Sequence, residues 1–228
     1  MFINSDLKLK TMNHLNLITV AVAFSLSSFA QPKEAVDAKA KGILDEVSIK
    51  TKTYPSIKAE FTMVMQGKDK AKKPETQKGA LQLKGDKYKL DIKGQEIISD
   101  GKTSWTYLKD NNELQINNID PRSNEGVTPS NIFTIYEKGY KYKYDSETPN
   151  AHTINLYPMN PEKKKFHTLK LVINKVSKEI SSFTVYMKDG NVFDYTINSF
   201  ITNSPIPDSI FIFDTKAHPG IEVVDLRE

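Results

Sequence analysis

The side chains able to do acid–base, nucleophilic or metal chemistry are few in this sequence, and their spacing joins none of them. His152, His167 and His218 are scattered through the chain at no ligand spacing, so each reads as a surface or strand-end histidine. Asp91, Glu96 and Asp100 could supply a carboxylate pair for general acid–base work. Asp100, however, is better explained by the turn Ser99-Asp100-Gly101-Lys102, and nothing in the pattern joins the other two. The absence of cysteine removes thiolate metal sites, disulfides and thiol catalysis together. No phosphate loop, dinucleotide glycine fingerprint, H-E-x-x-H pair or G-x-S-x-G elbow occurs. A folded chain without a catalytic constellation points to binding, with no cofactor and no metal, rather than to an enzyme.

The basic residues narrow the partner class. Of 32 basic side chains only Arg122 and Arg227 are arginine, and the rest are lysine. Arginine forks grip phosphates and bases bidentately, whereas lysine is a hydrated point charge, so a nucleic-acid reader is not expected. Lysine clusters at Lys68 to Lys73 and at Lys163 to Lys165, each beside proline. Two readings stand side by side. These are solvated loop tips that discourage edge pairing, or they attract anionic lipid head groups.

Length and composition bound the architecture. A chain of 228 residues with 38% hydrophobic and 10% aromatic residues can build one sizeable core. At the N-terminus Lys8 and Lys10 precede an apolar run from Leu15 to Leu26 that ends in Ser28-Phe29-Ala30. Small residues at 28 and 30 fit a signal-peptidase site, with residues 1–30 as the leader, Gln31 as the mature start and Met12 as an alternative start codon. The run is shorter than the ~20 residues a spanning helix needs. The expectation is an exported, periplasmic protein of one domain over residues 31–228, without a lipid anchor at the cleavage point, and monomeric.

Residues 33–52 have apolar side chains at Val36, Ala40, Ile43, Leu44 and Val47, a helical period bounded by Pro32 and Pro55. The period then becomes two. Strands are predicted at Ile57 to Gln66, around Leu81 and Leu83, from Lys87 to Lys93, and at Ile97-Ile98, Trp105 to Tyr107 and Leu114 to Ile116. The Asp100-Gly101 turn is a strong hairpin signal. The Pro121–Pro129 stretch breaks the rhythm. After it, Ser130 or Asn131 could cap a short helix carrying Ile132, Phe133, Ile135 and Tyr136, ended by Gly139. Strands resume at Tyr140–Tyr144, His152–Tyr157, Phe166–Ile173, Ile180–Met187, Val192–Phe200 and Ile210–Phe213. The fold class is therefore mainly β (α+β). It is one meandering antiparallel sheet of about ten strands with a long N-terminal helix and a short internal helix.

One face of this sheet carries an apolar surplus. Phe61, Met63, Met65, Leu81, Leu83, Tyr88, Leu90, Ile92, Trp105 and Tyr107 are the candidate residues for it. They form either an ordinary core or the wall of a cavity open to an apolar guest. The methionine pair is soft enough to suit variable contents.

Four stretches resemble the periplasmic lipoprotein carrier proteins of the LolA family. They are Ser56-Ile57-Lys58-Ala59-Glu60-Phe61-Thr62 after the helix, Lys78-Gly79-Ala80-Leu81-Gln82-Leu83-Lys84, the hairpin from Glu96 to Tyr107, and the ending from Phe211 to Asp225. The hairpin is similar to the family's I-x-S-D-G-K-x-x-W-x-Y pattern, and the resemblance runs over nearly all of residues 33–228. It implies an incomplete antiparallel β-barrel whose concave side is covered by helices. It also implies a carrier that moves triacylated lipoproteins from the inner to the outer membrane, loaded by an inner-membrane ABC transporter and delivering to an outer-membrane acceptor. In that reading the apolar strand residues are the acyl cavity wall, and Ile132, Phe133, Ile135 and Tyr136 are lid contacts. One departure stands out. Many members have an Arg-Pro dipeptide after the second strand, with the arginine tied to lid closure and release, where this chain reads Lys84-Gly85-Asp86-Lys87. The readings beside the carrier are a protein for another lipid or acylated product on the same fold, and an exported non-catalytic β domain with a filled core.

Overall fold

The computed structural model describes residues 37–119 and 126–227. The predicted leader with its cleavage point and residues 33–36 of the predicted helix lie outside the described residues. The helix α1 (Ala38–Lys52) starts where Asp37 supplies a cap: its carboxylate accepts the N–H of Ala40 at 2.9 Å. Ala40, Leu44, Val47 and Ser48 form the buried stripe of α1, at the three- and four-residue spacing that brings side chains to one face.

Twelve strands follow in one sheet. They are β1 (Ile57–Gln66), β2 (Glu75–Lys84), β3 (Lys87–Ile92), β4 (Gln95–Ser99), β5 (Thr103–Leu108), β6 (Glu113–Asn118), β7 (Tyr140–Glu147), β8 (Ala151–Pro158), β9 (Phe166–Asn174), β10 (Ile180–Met187), β11 (Val192–Thr202) and β12 (Glu222–Asp225). Their spatial order is β12-β6-β5-β4-β3-β2-β1-β11-β10-β9-β8-β7, so the sheet is open, with β12 and β7 at its edges. Pairing is antiparallel throughout except where β12 adds parallel to β6.

Three expectations are corrected. There are twelve strands rather than about ten. The predicted strand at Ile210–Phe213 is instead a 3-10 turn, Asp208–Phe211, followed by irregular chain. Pro205 and Pro207 lack the N–H groups a ladder needs, and Phe211 and Phe213 are buried as plugs rather than strand residues. The predicted internal helix is reduced to a 3-10 turn, Ile135–Glu137. Upstream of it, Thr128 and Asn131 side chains take backbone N–H groups into local turns, in competition with a helical ladder.

The core is split by the two faces of the sheet. On the inner face α1 packs over β7–β10, joining Ala40, Leu44 and Val47 to Ile154, Leu156, Leu169, Leu171 and Ile173, with Ile135, Tyr136 and Tyr140 at its side. A smaller cluster on the same face holds Ile57, Ala59, Leu83 and Tyr88. On the opposite face Ile98, Leu114, Ile116 and Phe213 form a third cluster under the C-terminal segment.

Candidate functional site

Cross-strand partners share a face of a sheet, so the register decides which candidates stand together. Phe61 pairs with Gly79, which pairs with Ile92; Ala59 pairs with Leu81, which pairs with Leu90; and Ile57 pairs with Leu83, which pairs with Tyr88. These rows occupy the inner face. Leu90 continues to Ile97 and Thr106, whereas Trp105 stands opposite Ile98 and Tyr107 opposite Glu96. Trp105 and Tyr107 therefore project from the other face, which corrects their expected place in the apolar wall. There they pack against the third cluster, and the Tyr107 ring lies 5.4 Å from Phe213 and 4.5 Å from His218. Successive residues alternate faces, and a hairpin of fixed register carried this pair outward.

The inner face continues from β1 into β11 and β10. Two bulges shape it. The register shifts between Glu60 and Phe61, leaving Asn198 unpaired in the ladder, so that Ile197 opposes Phe61 while Phe200 opposes Ala59. The Asn198 side chain donates to the Thr62 hydroxyl at 2.8 Å. A second shift between Ile180 and Ser182 leaves Ser181 over, with Ile180 opposing Ile173 and Phe183 opposing Leu171. In each case two residues three apart, which a regular strand would place on opposite faces, both turn inward.

These rows line a partly open cavity of about 150 Å³. Its sheet wall is Ala59, Phe61, Leu81, Leu90, Ile180, Phe183, Val185, Tyr195, Ile197 and Phe200, and its cover is Val127, Thr128, Pro129, Ile132 and Phe133. Phe183 and Tyr195 stack at 4.4 Å, with Phe61 5.9 Å from Tyr195 and Phe133 6.3 Å from Phe200. Among these residues only Thr128 and Tyr195 carry a polar side-chain atom. Burial pushes the Tyr195 phenol pKa up.

The structure thus brings Phe61, Leu81, Leu90, Ile132 and Phe133 together around one space. Ile92 lies beside it, behind Gly79 and against Phe61. Met63 and Met65 stay on the same face farther along β1, opposite Tyr195 and Phe193. Leu83 and Tyr88 fill the small inner cluster. Ile132, Ile135 and Tyr136 all belong to the buried core under α1, Ile132 bordering the cavity as well, and the Tyr136 hydroxyl donates to Asp45 at 2.9 Å. The wall residues of β10 and β11 were not singled out in the sequence. The alternation Phe193-Tyr195-Ile197 was a signal for part of them, but the two bulges hid Phe200 and Ile180 from any period-two count.

The cover is held unevenly. Beyond Thr134 it is tied to α1, since the Glu137 carboxylate accepts from Ser48 at 2.7 Å and Lys52 at 2.7 Å. The ammonium of Lys52 and the Ser48 hydroxyl lower the Glu137 pKa. Before Thr134 it closes on itself. Asn131 accepts from Thr128 N–H at 2.8 Å and donates to the Gly126 carbonyl at 3.1 Å. Among the described residues no hydrogen bond joins 126–133 to the sheet wall, so this stretch rests there on apolar contact alone.

Titratable groups gather elsewhere. Asp91 and Glu96 do face each other across β3 and β4, but Lys109 sits 2.9 Å from Asp91 and Lys89 sits 2.8 Å from Glu96. Asp100 accepts from the N–H groups of Lys102 and Thr103, as its turn requires. Glu147 lies among Lys39, Lys175, Tyr144 and His152 at the far edge of the sheet, and Lys175 foremost brings its pKa down to about 2. Among the described residues no group of histidines and carboxylates could hold a metal ion. The Lys84-Gly85-Asp86-Lys87 turn is also accounted for: Lys84 and Lys87 both reach Asp208, at 3.1 and 3.0 Å, and so fasten the C-terminal segment to β2 and β3.

No curated protein matches this chain. Among solved structures, an uncharacterized conserved protein from Thermus thermophilus is 14% identical with a TM-score of 0.52, covering 82% of this chain and 99% of that one. A putative outer membrane lipoprotein-sorting protein domain from Vibrio parahaemolyticus is 11% identical with a TM-score of 0.44, covering 76% and 96%. A LolA superfamily protein from Nitrosomonas europaea is 12% identical with a TM-score of 0.42, covering 76% and 97%. The family model described as outer membrane lipoprotein carrier protein LolA matches residues 52–214, which take in both the cavity wall and its cover. This chain therefore belongs to the LolA family.

Proposed function

We propose that this protein is a periplasmic carrier that shelters the acyl chains of lipoproteins in the inner-face cavity while they cross from the inner to the outer membrane. The observation that carries the reading is an apolar cavity whose cover, Val127–Phe133, makes no hydrogen bond to the wall among the described residues. Burying an acyl chain is worth about 0.8 kcal/mol per methylene, so a whole chain contributes on the order of 10 kcal/mol. Contacts of the cover with Phe61, Leu81 and Phe200 can be exchanged for contacts with a guest of the same polarity. The partly open space of about 150 Å³ is smaller than the ~300–1,000 Å³ of pockets that bury drug-sized ligands. In this proposal loading displaces the half-buried Phe133 first, while Ile132, Ile135 and Tyr136 keep their places in the core under α1. No bond is made or broken on this reading; among the described lining residues only the Thr128 and Tyr195 hydroxyls are polar side-chain groups.

In this proposal residues 1–30 direct export, a membrane ABC transporter loads the carrier, and an outer-membrane acceptor unloads it. The test is titration with a fluorescent long-chain fatty acid. Saturable binding is expected, weakened severalfold by Phe133→Ala, with thermal melting checking that the variant stays folded. A protein and variant that both fail to bind would leave a filled β domain instead. Native mass spectrometry of the protein taken from its own cell envelope then identifies the load. Triacylated lipoprotein supports the full proposal, and free lipid alone would move the cargo to another acylated product.

A further inference from the structure

Three turns that are far apart in sequence meet at one end of the sheet. The β1–β2 loop touches the β10–β11 turn, where Lys68 N–H donates to Asn191 Oδ1 at 3.0 Å and the Lys68 side chain covers Gly190. The β10–β11 turn in turn touches the β8–β9 connection, where Lys188 N–H donates to the Lys165 carbonyl at 2.9 Å and Lys188 Nζ to the Pro161 carbonyl at 2.7 Å. The rim so formed exposes Lys68, Lys70, Lys72, Lys73, Lys163, Lys165 and Lys188 against Asp69, Glu75, Glu162 and Asp189. Among the described residues none of these seven lysines makes an ion pair. Elsewhere Lys84, Lys87, Lys89, Lys109, Lys175 and Lys178 each sit on a carboxylate. Met159, 57% exposed, stands in the β8–β9 connection beside the charges.

We infer that this lysine rim is a contact surface for an anionic lipid bilayer. Clustered lysines near a negatively charged membrane surface each add to attraction within a Debye length. Lysine alone, without arginine, suits many loose head-group contacts better than one shaped phosphate or base site. The exposed Met159 offers an apolar side chain to the head-group boundary. Lysines elsewhere such as Lys78, Lys102 and Lys216 are also exposed without an ion pair among the described residues, so what sets the seven apart is that three loops gather them at one end of the sheet. The inference does not depend on what the cavity holds.

The test is sedimentation of the protein, purified in the form its cell leaves it, with phosphatidylcholine vesicles and with vesicles also containing phosphatidylglycerol. Binding only to the anionic vesicles, abolished by high salt, is expected. Replacing Lys68, Lys70, Lys72 and Lys73 together by Ser should weaken it several-hundredfold, at about fivefold per lysine. The pair Lys102→Ser and Lys216→Ser, on turns outside the rim, should leave binding unchanged. Thermal melting of each variant checks that it folds. Equal binding to both vesicles, no binding to either, or losses per charge that are the same for rim and control variants would overturn the inference. So would capture of an acidic protein by the rim in place of the vesicles.

Discussion

Two stretches of the same inner face, built from similar alternating strands, are covered in different ways. Under α1, the residues Leu44, Ile154, Leu156, Leu169, Leu171 and Ile173 are sealed to 1% exposure or less. Under residues 127–133 the wall of β1–β3, β10 and β11 keeps a cavity of about 150 Å³. The difference lies in the cover. A helix presents a regular apolar stripe that interdigitates with a sheet. It is also tied at both ends, by Asp37 to Tyr144 N–H at 2.7 Å and by Lys52 and Ser48 to Glu137. An irregular segment stabilised by its own Asn131 and Thr128 turns cannot match a sheet row for row. The filled half is packed without a gap, and the other half keeps a cavity between wall and cover.

The sharpest way to break this contrast is to truncate a residue in each half. Leu171→Ala in the filled half should cost about 2–5 kcal/mol, read as a lower urea midpoint. Ile132→Ala should cost less, because one side of Ile132 borders the cavity while only the other joins the core cluster. Equal losses would mean that the two halves are packed alike.

Gly79 offers a finer probe. A Cβ there would stand 2.3 Å from Phe61 Cζ and 2.8 Å from Ile92 Cγ2. Gly79→Ala should push the Phe61 ring into the cavity and destabilise by about 1–3 kcal/mol. It should also weaken binding of a fluorescent fatty acid. Stability loss with unaltered binding would detach Phe61 from the site.

Asp37→Ala removes the cap of α1 and its tie to β7, for about 0.5–2 kcal/mol. The pH dependence carries its own sign. Hydrogen bonds from Ala40 N–H and then Tyr144 N–H lower the folded-state pKa of Asp37 below its usual value. Its contribution is therefore present above the ordinary carboxylate range and is lost as pH falls through the lower folded value. Wild type and Asp37→Ala should converge in stability on acidification, and curves that stay parallel would contradict the cap.

The smallest effect is expected at Asp208, where Lys87 and then Lys84 lower the carboxyl pKa in an exposed setting. Asp208→Asn should leave the urea midpoint nearly unchanged at moderate salt, since exposed pairs are screened. A large loss would make the C-terminal fastening part of the core rather than a surface tie.

Much of the fold is local and was legible in the residues. The stripe Ala40-Leu44-Val47 specifies α1, the alternation Ile57-Ala59-Phe61 specifies β1, and Asp100-Gly101 specifies its hairpin, with Gly101 at φ 90°. Each depends on contacts within a few residues, which a periodic pattern records.

What only the tertiary structure decided is which way the apolar rows face and what closes over them. Period two says that faces alternate, but it does not say which face of a hairpin is inward. Trp105 and Tyr107 therefore went outward although their alternation looked like that of Leu90 and Ile92. Bulges at Asn198 and Ser181 shift the count by one and bring Phe200 and Ile180 into the wall. The short β12 is a strand because β6 offers an open edge to it. The cavity follows from the same cause: a void is a mismatch between two surfaces that meet only after folding, so no local pattern of either one contains it.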